Sequence, residues 1–538
     1  MATATCTVGL DFGTGSARAI AVDTSTGDEL ATSVYEYPHG VIEDAQDPNL
    51  ARQDPSDYAA ALEATLTGVA SEVAQAGHRV VGIGAATTGS TPLPVDADGV
   101  PLGLHEQWTG EPAAKAWLWK DHTSFAEAAE ITETFHARGL PYLDYIGGTY
   151  SSEWFWAKIL RCARTAPDVF AAAHTWLELA DLIPAIATGT GTAVRRNACA
   201  AGHKALFAER WGGLPEVPAL AALHPGLADL RGRLYDRVWP ADSPAGGIDP
   251  GLAARTGLAA EVVVAVGTFD AHAGAVAGGV RPGRLVKIMG TSTCDCTVSP
   301  SLDPIPGVCG VVADSVLPGA AGVEAGQSAV GDLFDWFLRR IAHRDHATLA
   351  AEAARLRPGE SGLLALDWNN GNRTILVDPL LSGLLLGPSL ATSPAEIYRA
   401  LLEATAFGAR TIVERIEEYR APIIDVVVSG SVATNPLAMQ IYADVLERPV
   451  RLARASNGSA VGAAIYAAVA AGVHPDVETA QAAMGGPGDV VYVPNAEAAR
   501  TYARLYTLYR RLHDAFAAAG TLGDVMKELI QLRGEVRA

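Results

Sequence analysis

Two aspartates and two short glycine–threonine turns are the groups in this sequence best suited to chemistry. Asp270 lies in VGTFDAHAGAVAGG, residues 266–279, directly after an apolar run at 262–266 that reads as a buried strand. Ala271, Ala273, Gly274, Ala275 and Ala277 follow, so the next element begins with almost no side-chain bulk. A carboxylate at a strand end with nothing large beside it leaves room for a ligand and suits a general base. The same position equally suits a helix cap. Asp11 opens DFGTGS, residues 11–16, where Gly13 and Gly15 allow backbone N–H groups to converge on an anion. GTST at 290–293 is a second turn of this kind. Each turn adds hydroxyls, from Thr14 and Ser16 in the first and from Thr291, Ser292 and Thr293 in the second. One such turn is an ordinary hairpin connection. Two of them, with aspartates at strand ends, point to a phosphate gripped between two similar halves.

The elements that must hold these groups follow the same order twice. Residues 7–10 and 18–23 read as strands flanking the first turn, and 29–37 as a third. A strand after the turn, where a dinucleotide fingerprint has a helix, excludes a Rossmann site. Residues 54–76 read as an amphipathic helix with Tyr58, Leu62, Leu66, Val69 and Val73 on one face, and 80–85 as a buried strand. Residues 117–122 mix aromatic and polar groups in the manner of a pocket wall, and 151–164 read as a helix whose Trp154, Phe155, Ile159 and Leu160 face a core. Residues 195–204, RRNACAAGHK, read as a polar loop. The pattern then restarts, with strands at 285–289 and 294–299, helices at 327–340 and 394–420, a strand at 423–429, a turn at 430–431 and a helix at 436–446. An alanine-rich helix follows at 459–471, and 495–532 reads as an amphipathic tail capped by Asn495 and interrupted near 520–523.

Bulk properties narrow the function. The chain has 538 residues, 49% hydrophobic and 19% charged, with net charge −20 and pI near 5.1. That length calls for more than one core. The acidic balance argues against nucleic acid or an anionic membrane as partner. No export signal is read at the start, and no apolar run is long enough to cross a bilayer. The six cysteines form no CxxC pair; Cys294, Cys296 and Cys309 match no zinc spacing, and buried thiols of a reducing, cytoplasmic compartment are expected. Walker, GxSxG, HExxH and HRD patterns are missing, which weakens the NTPase, hydrolase, zinc-protease and protein-kinase readings.

DFGTGSAR at 11–18, GTFDAHAG at 267–274 and MGTST at 289–293 resemble the signatures of the FGGY carbohydrate kinases. WKDHT at 119–123, YIGGTYSSEWFWAKIL at 145–160, AGHKALFAERWGGLP at 201–215 and EAGQSAVGDLFDWF at 324–337 resemble the ribulokinase group of that family. The resemblance spans roughly residues 6–475. It implies an α/β fold of two actin-like (ribonuclease H-like) ATPase domains with a cleft between them, residues 1–280 and 281–538, the second ending in a helical tail from about 495. The implied activity is transfer of phosphate from ATP to the terminal hydroxyl of L-ribulose or another 2-ketopentose, as in L-arabinose catabolism. ATP and Mg²⁺ are the implied cofactors, and a homodimer is left open. Asp270 matches the catalytic base, and Asp11 the carboxylate that helps hold Mg²⁺ through water. Thr14, Gly15, Ser16 and Arg18 match the first phosphate turn; Gly290, Thr291 and Ser292 match the second. Trp119, Lys204 and Glu324 match ketopentose-binding positions, with Ala86 lining that pocket. Gly430 and Asn435 match the nucleotide loop, and Gly326 a contact near it.

Two departures stand out: Ser431 replaces the second of a glycine pair, and Gly15 replaces a larger residue. A neutral, hydroxyl-rich sugar needs fixed donors and acceptors, which Lys204 and Glu324 supply beside the flat wall of Trp119. Glu324 also suits the start of a helix. His272 is expected to pack beside the base. An ATP-driven clamp without sugar chemistry, or another ketose or polyol kinase, are the competing readings.

Overall fold

The computed structural model describes residues 4–420, 422–517 and 522–537. Two seven-stranded mixed sheets organise it. In the first, β1 (Ala4–Phe12), β2 (Ser16–Asp23) and β3 (Glu29–Glu36) form an antiparallel meander, and β4 (His78–Thr87) lies parallel to β1. Three short strands complete it: β5 (Pro244–Gly247), β6 (Val263–Ala265) and β7 (Thr268–Phe269). The second sheet repeats the plan. There β8 (Arg284–Met289), β9 (Thr293–Ser299), β10 (Gly310–Ala313) and β11 (Ala321–Ala325) are antiparallel, in the order β10-β11-β9-β8. Beyond β8 come β12 (Asp425–Ser429) and β13 (Val450–Ala453), both parallel, and then β14 (Pro487–Tyr492), antiparallel. Both expected glycine–threonine turns therefore join the first two strands of a sheet.

Helices cover the sheets for local reasons legible in their ends. Helix α1 (Pro55–Gln75) starts where Asp54 accepts the Ser56 N–H at 3.0 Å and Pro55 presets the first φ. Its predicted face, Tyr58, Leu62, Leu66, Val69 and Val73, is buried against β2 and β3. Each such side chain fully removed from water contributes about 1.5–3 kcal/mol. Helix α2 (Phe155–Thr165) belongs to a separate aromatic core containing Trp117, Trp154, Trp156 and Trp176. The segment expected as a polar loop is instead helix α3 (Ala198–Ala205), capped by Asn197, which accepts the Ala200 N–H at 2.6 Å. All eight of its residues are buried, so the polar side chains there face inward rather than toward solvent. The helix expected at 327–340 begins at Gly331 and loosens into a wider turn from Phe337.

Two helices join the halves. Helix α4 (Asp270–Ala277) and helix α7 (Gly458–Ala470) cross almost backbone to backbone, and α7 also lies on β1 and β4 of the first sheet. A Cβ on Gly462 would stand 1.8 Å from the Ala273 carbonyl oxygen, and one on Gly9 would stand 1.7 Å from that of Ala460. The small residues after Asp270 are therefore consumed by helix packing; the expectation that they leave room for a ligand is corrected. In the second half, helix α5 (Pro394–Tyr419) carries a full capping box at Ser393 and Glu396, and α6 (Pro436–Leu446) follows β12. The tail forms α8 (Ala496–Ala517), with Asn495 accepting the Glu497 N–H at 2.9 Å, and α9 (Leu522–Arg537). Tyr502, Tyr506 and Tyr509 of α8 pack on Phe407 of α5. Of the interruption expected near 520–523, residues 520 and 521 lie outside the described residues, while 522 and 523 begin α9.

Candidate active site

Strand register brings the two aspartates together. Asp11 at the end of β1 pairs with Ala86 of β4, and Ala86 pairs on its other side with Thr268 of β7, two residues before Asp270. Ala86 is fully buried in this row. Asp270 is the first residue of α4 and half-buried. Its Oδ1 accepts the Ala271 N–H at 2.7 Å. One oxygen thus caps the helix, and no protein partner is seen for Oδ2 among the described residues. Burial pushes the Asp270 carboxyl up to about 7, with the charges of Asp11 and then Glu324 adding and the Ala271 N–H opposing. Burial likewise raises Asp11 to about 6, against the pull of Arg18. A carboxylate poised near neutrality, with a free oxygen, can take a proton from an alcohol.

The two turns share one construction: their carbonyls are tied back into the protein. In the first, the Thr14 carbonyl accepts Gln53 Nε2 at 2.6 Å, that of Gly15 accepts the Tyr37 N–H at 3.0 Å, and that of Ser16 accepts the Gly13 N–H at 2.9 Å. In the second, the Gly290 carbonyl accepts the Gly331 N–H at 3.0 Å, that of Thr291 accepts Val330 at 2.8 Å and Asp332 at 3.1 Å, and that of Ser292 accepts Gly290 at 2.9 Å. The N–H groups of Thr14, Gly15, Thr291 and Ser292 have no protein acceptor among the described residues. Such a turn offers donors to an anion without rearrangement. A buried network stiffens the second turn from behind. Lys287 Nζ donates to both Asp295 oxygens at 2.8 and 2.9 Å, to Gln327 Oε1 at 2.8 Å and to Thr293 Oγ1 at 3.2 Å.

Arg18, expected at a phosphate, donates to Asn457 Oδ1 at 2.8 Å, just before α7, and so ties the halves together. Gly326 donates its N–H to Thr374 Oγ1 at 2.9 Å and lies so close to Thr293 that a Cβ would meet its carbonyl oxygen at 2.1 Å. Gly430 has φ +97°, and a Cβ there would stand 2.4 Å from the Met289 carbonyl oxygen, so glycine is required where this loop touches the second turn. The Asn435 side chain caps α6, accepting from Leu437 at 3.0 Å, and donates to Tyr398 at 3.3 Å. It shapes the loop, and its polar atoms are occupied.

The residues expected to bind sugar converge from both halves. Trp119 donates its indole N–H to Thr14 Oγ1 at 3.0 Å, which links this wall to the first phosphate turn. Lys204 on α3 lies 5.0 Å from the Trp154 ring centroid and 5.8 Å from that of Phe269. Its Nζ is 3.4 Å from Glu324 Oε1. Glu324 stands mid-strand on β11, so the alternative of a helix start is excluded. Burial alone would neutralise this pair. Instead, Lys204 and then His203, His272 and Arg373 hold the Glu324 carboxyl well below the usual carboxylate range, and Glu324 keeps the Lys204 ammonium above its own.

Sequence reasoning missed several participants. Trp154 is buried as expected, yet it faces Lys204. His203 and His272 both lie beside Glu324, and the only signal was their adjacency to Lys204 and Asp270. Lys158 on α2 donates to the carbonyls of Ser90 at 2.6 Å, Leu118 at 2.9 Å and Trp117 at 3.2 Å, fixing the backbone ahead of Trp119. The cysteines are free thiols, and all but Cys294 are buried.

Comparison with known proteins identifies the family. Residues 6–277 match the N-terminal domain of the FGGY family of carbohydrate kinases, and residues 285–471 match its C-terminal domain. A ribulokinase from Halalkalibacterium halodurans is 42% identical, covering 98% of this chain and 97% of its own. One from Bacillus licheniformis is 39% identical, covering 96% and 97%. The crystal structure of xylulose kinase from Rhodospirillum rubrum superposes with TM-score 0.78 at 25% identity, over 95% of this chain and 99% of that one. The two-domain, actin-like α/β fold is thus confirmed, and the chain belongs to the FGGY family of carbohydrate kinases, phosphotransferases that act on an alcohol group.

Proposed function

We propose that the protein transfers the γ-phosphoryl group of ATP to the terminal hydroxyl of L-ribulose, releasing L-ribulose 5-phosphate and ADP. The observation that carries this reading is Asp270. It is a carboxylate raised to about 7, with no protein partner for one oxygen among the described residues, following the strand row that carries Asp11 and close enough to Glu324 to feel its charge. Similarity to ribulokinases over nearly the whole chain supports the choice of sugar.

In this mechanism Lys204 donates to, and Glu324 accepts from, hydroxyls of the ketopentose, while Trp119 walls the pocket. Oδ2 of Asp270 takes the proton as the sugar oxygen bonds to the γ-phosphorus and the bond to the ADP oxygen breaks. The turns around Thr14–Ser16 and Gly290–Ser292 hold the phosphates, and the loop from Gly430 to Asn435 flanks the nucleotide. Most of the acceleration comes from alignment and charge neutralisation rather than covalent help. Asp11 fits a divalent cation: it is a hard oxygen donor, partly withdrawn from water, and has no ion-pair partner within 4 Å among the described residues. Mg²⁺ held there would neutralise charge on the phosphates. The first and second halves, residues 1–280 and 281–538, would close over the ligands and keep water from the γ-phosphate.

The test is ADP release measured across ketopentoses, ketohexoses and polyols. L-Ribulose is expected to give the highest kcat/KM, with little ATP hydrolysis in the absence of sugar. Sugar-independent hydrolysis comparable to turnover would favour an ATP-driven clamp and overturn the reading.

A further inference from the structure

Glu324 makes contacts at both of its oxygens. Lys204 Nζ lies 3.4 Å from Oε1, while His203 Nδ1 and His272 Nε2 lie 3.3 and 3.4 Å from Oε2. The two imidazoles come from different elements, α3 and α4, and their ring centroids are 4.8 Å apart. They are 0% and 2% exposed, and among the described residues neither ring nor Glu324 Oε2 makes a hydrogen bond of good geometry, so the two approaches to Oε2 are close contacts between otherwise unpartnered buried polar atoms. Gly310 pairs with Glu324 across β10 and β11, and a Cβ there would stand 2.1 Å from His203 Nδ1. Glycine at this one position is what lets the His203 ring reach the carboxylate.

The trio could be taken for a metal site, since two imidazoles and a carboxylate are common ligands. Charge argues otherwise. The Lys204 ammonium already neutralises Glu324, and a divalent cation would stand beside it in a water-poor interior, where repulsion is strong. Burial, against the pull of Glu324, also keeps both rings uncharged, with Lys204 helping to bring His272 down to about 4, and His272 and then Lys204 helping to hold His203 well below its ordinary value. A neutral imidazole carries one N–H. Placing it on Nδ1 of His203 and on Nε2 of His272 sets the positive end of each dipole on the side nearest Oε2, off the line of an ordinary hydrogen bond.

We propose that His203 and His272 are positioning residues that clamp Oε2 of Glu324, so that Oε1 and Lys204 face the ketopentose. Both contacts are longer than an ordinary charge-assisted hydrogen bond, so the clamp acts as paired dipoles rather than as a salt bridge. The role rests on the sugar-binding reading given above. It concerns sugar affinity and leaves nucleotide contacts untouched.

The test exploits which nitrogen is used. His203→Leu and His272→Leu should each raise the sugar KM by about tenfold or more, leaving the ATP KM and kcat within about threefold. Asparagine places an amide near Nδ1 and glutamine near Nε2. His203→Asn and His272→Gln should therefore recover most of the affinity, and the swapped pair, His203→Gln and His272→Asn, should not. Gly310→Ala should mimic the loss at His203. A sugar KM within twofold in the leucine variants, or equal rescue by the swapped amides, overturns the proposal. So does a near-stoichiometric transition metal in purified wild type that is lost from the double leucine variant. Imidazole N–H proton resonances provide a readout without sugar. They should persist unchanged from about pH 5.5 to 8 and shift in Glu324→Gln, and their absence sinks the clamp. Persistent resonances in an enzyme that turns over no ketopentose would support the clamp and count against the functional reading alone.

Discussion

Replacing Lys204 by methionine keeps the aliphatic stem between Trp154 and Phe269 and removes only the charge, which makes it a sharp probe of the sugar pocket. Two effects follow, of different size. A hydrogen bond from an ammonium to a sugar hydroxyl contributes about 1.5–3 kcal/mol. At 1.4 kcal/mol per decade, its loss should raise the sugar KM about 10- to 150-fold. Separately, Glu324 loses the cation 3.4 Å from its Oε1 and keeps two neutral imidazoles beside it and the more distant charge of Arg373. Stranding one member of a buried pair costs about 3–5 kcal/mol of stability. The double variant Lys204→Met with Glu324→Gln removes both charges at nearly constant volume. It should regain most of that stability while sugar affinity stays lost. The assay is ADP release at saturating ATP with varied L-ribulose, alongside denaturant unfolding of the single and double variants. A sugar KM within twofold of wild type, or an equal rise in the ATP KM, would refute the placement of Lys204.

Four further outcomes follow from the same geometry. Because the Asp270 carboxyl titrates near 7 and must be ionised to accept a proton, kcat/KM should fall about tenfold per unit as pH drops below that value. Sugar affinity should stay level from about pH 5 to 8, since Glu324 is held low and Lys204 high; a flat rate down to pH 5.5 would contradict the first expectation, and a sugar KM that changes across the range the second. Asp11→Asn should raise the Mg²⁺ concentration for half-maximal activity by about 10- to 100-fold, as expected of a carboxylate acting through a bound water, and an unchanged Mg²⁺ titration would remove it from that role. Lys287→Met strands Asp295, both being fully buried, and should cost about 3–5 kcal/mol in denaturant unfolding. A loss below 1 kcal/mol would show that this network does not brace the second turn.

The strands, the two turns and Asp270 were legible because each rests on a local rule: an apolar run, a glycine that lets the chain reverse, a carboxylate at a strand end. Harder to read were inferences from spacing that needed the partner surface. The alanines and glycines after Asp270 looked like empty space. They are the near face of a helix crossing whose other half, around Gly462, lies almost two hundred residues away. RRNACAAGHK looked like a loop because its polar residues suggest solvent, yet His203 and Lys204 turn inward to meet a carboxylate from the second sheet. Asn435 and Arg18 matched ligand-binding patterns, but their side chains are engaged with protein. Polar groups whose partner comes from the other half cannot be told from surface groups by spacing alone.

In the proposed mechanism Asp270 removes the proton from the attacking hydroxyl. Single-turnover kinetics of Asp270→Asn with saturating L-ribulose and MgATP test it most directly. Phosphoryl transfer should slow by about 10²–10⁴-fold while ATP affinity stays within about threefold. A rate within tenfold of wild type would contradict it.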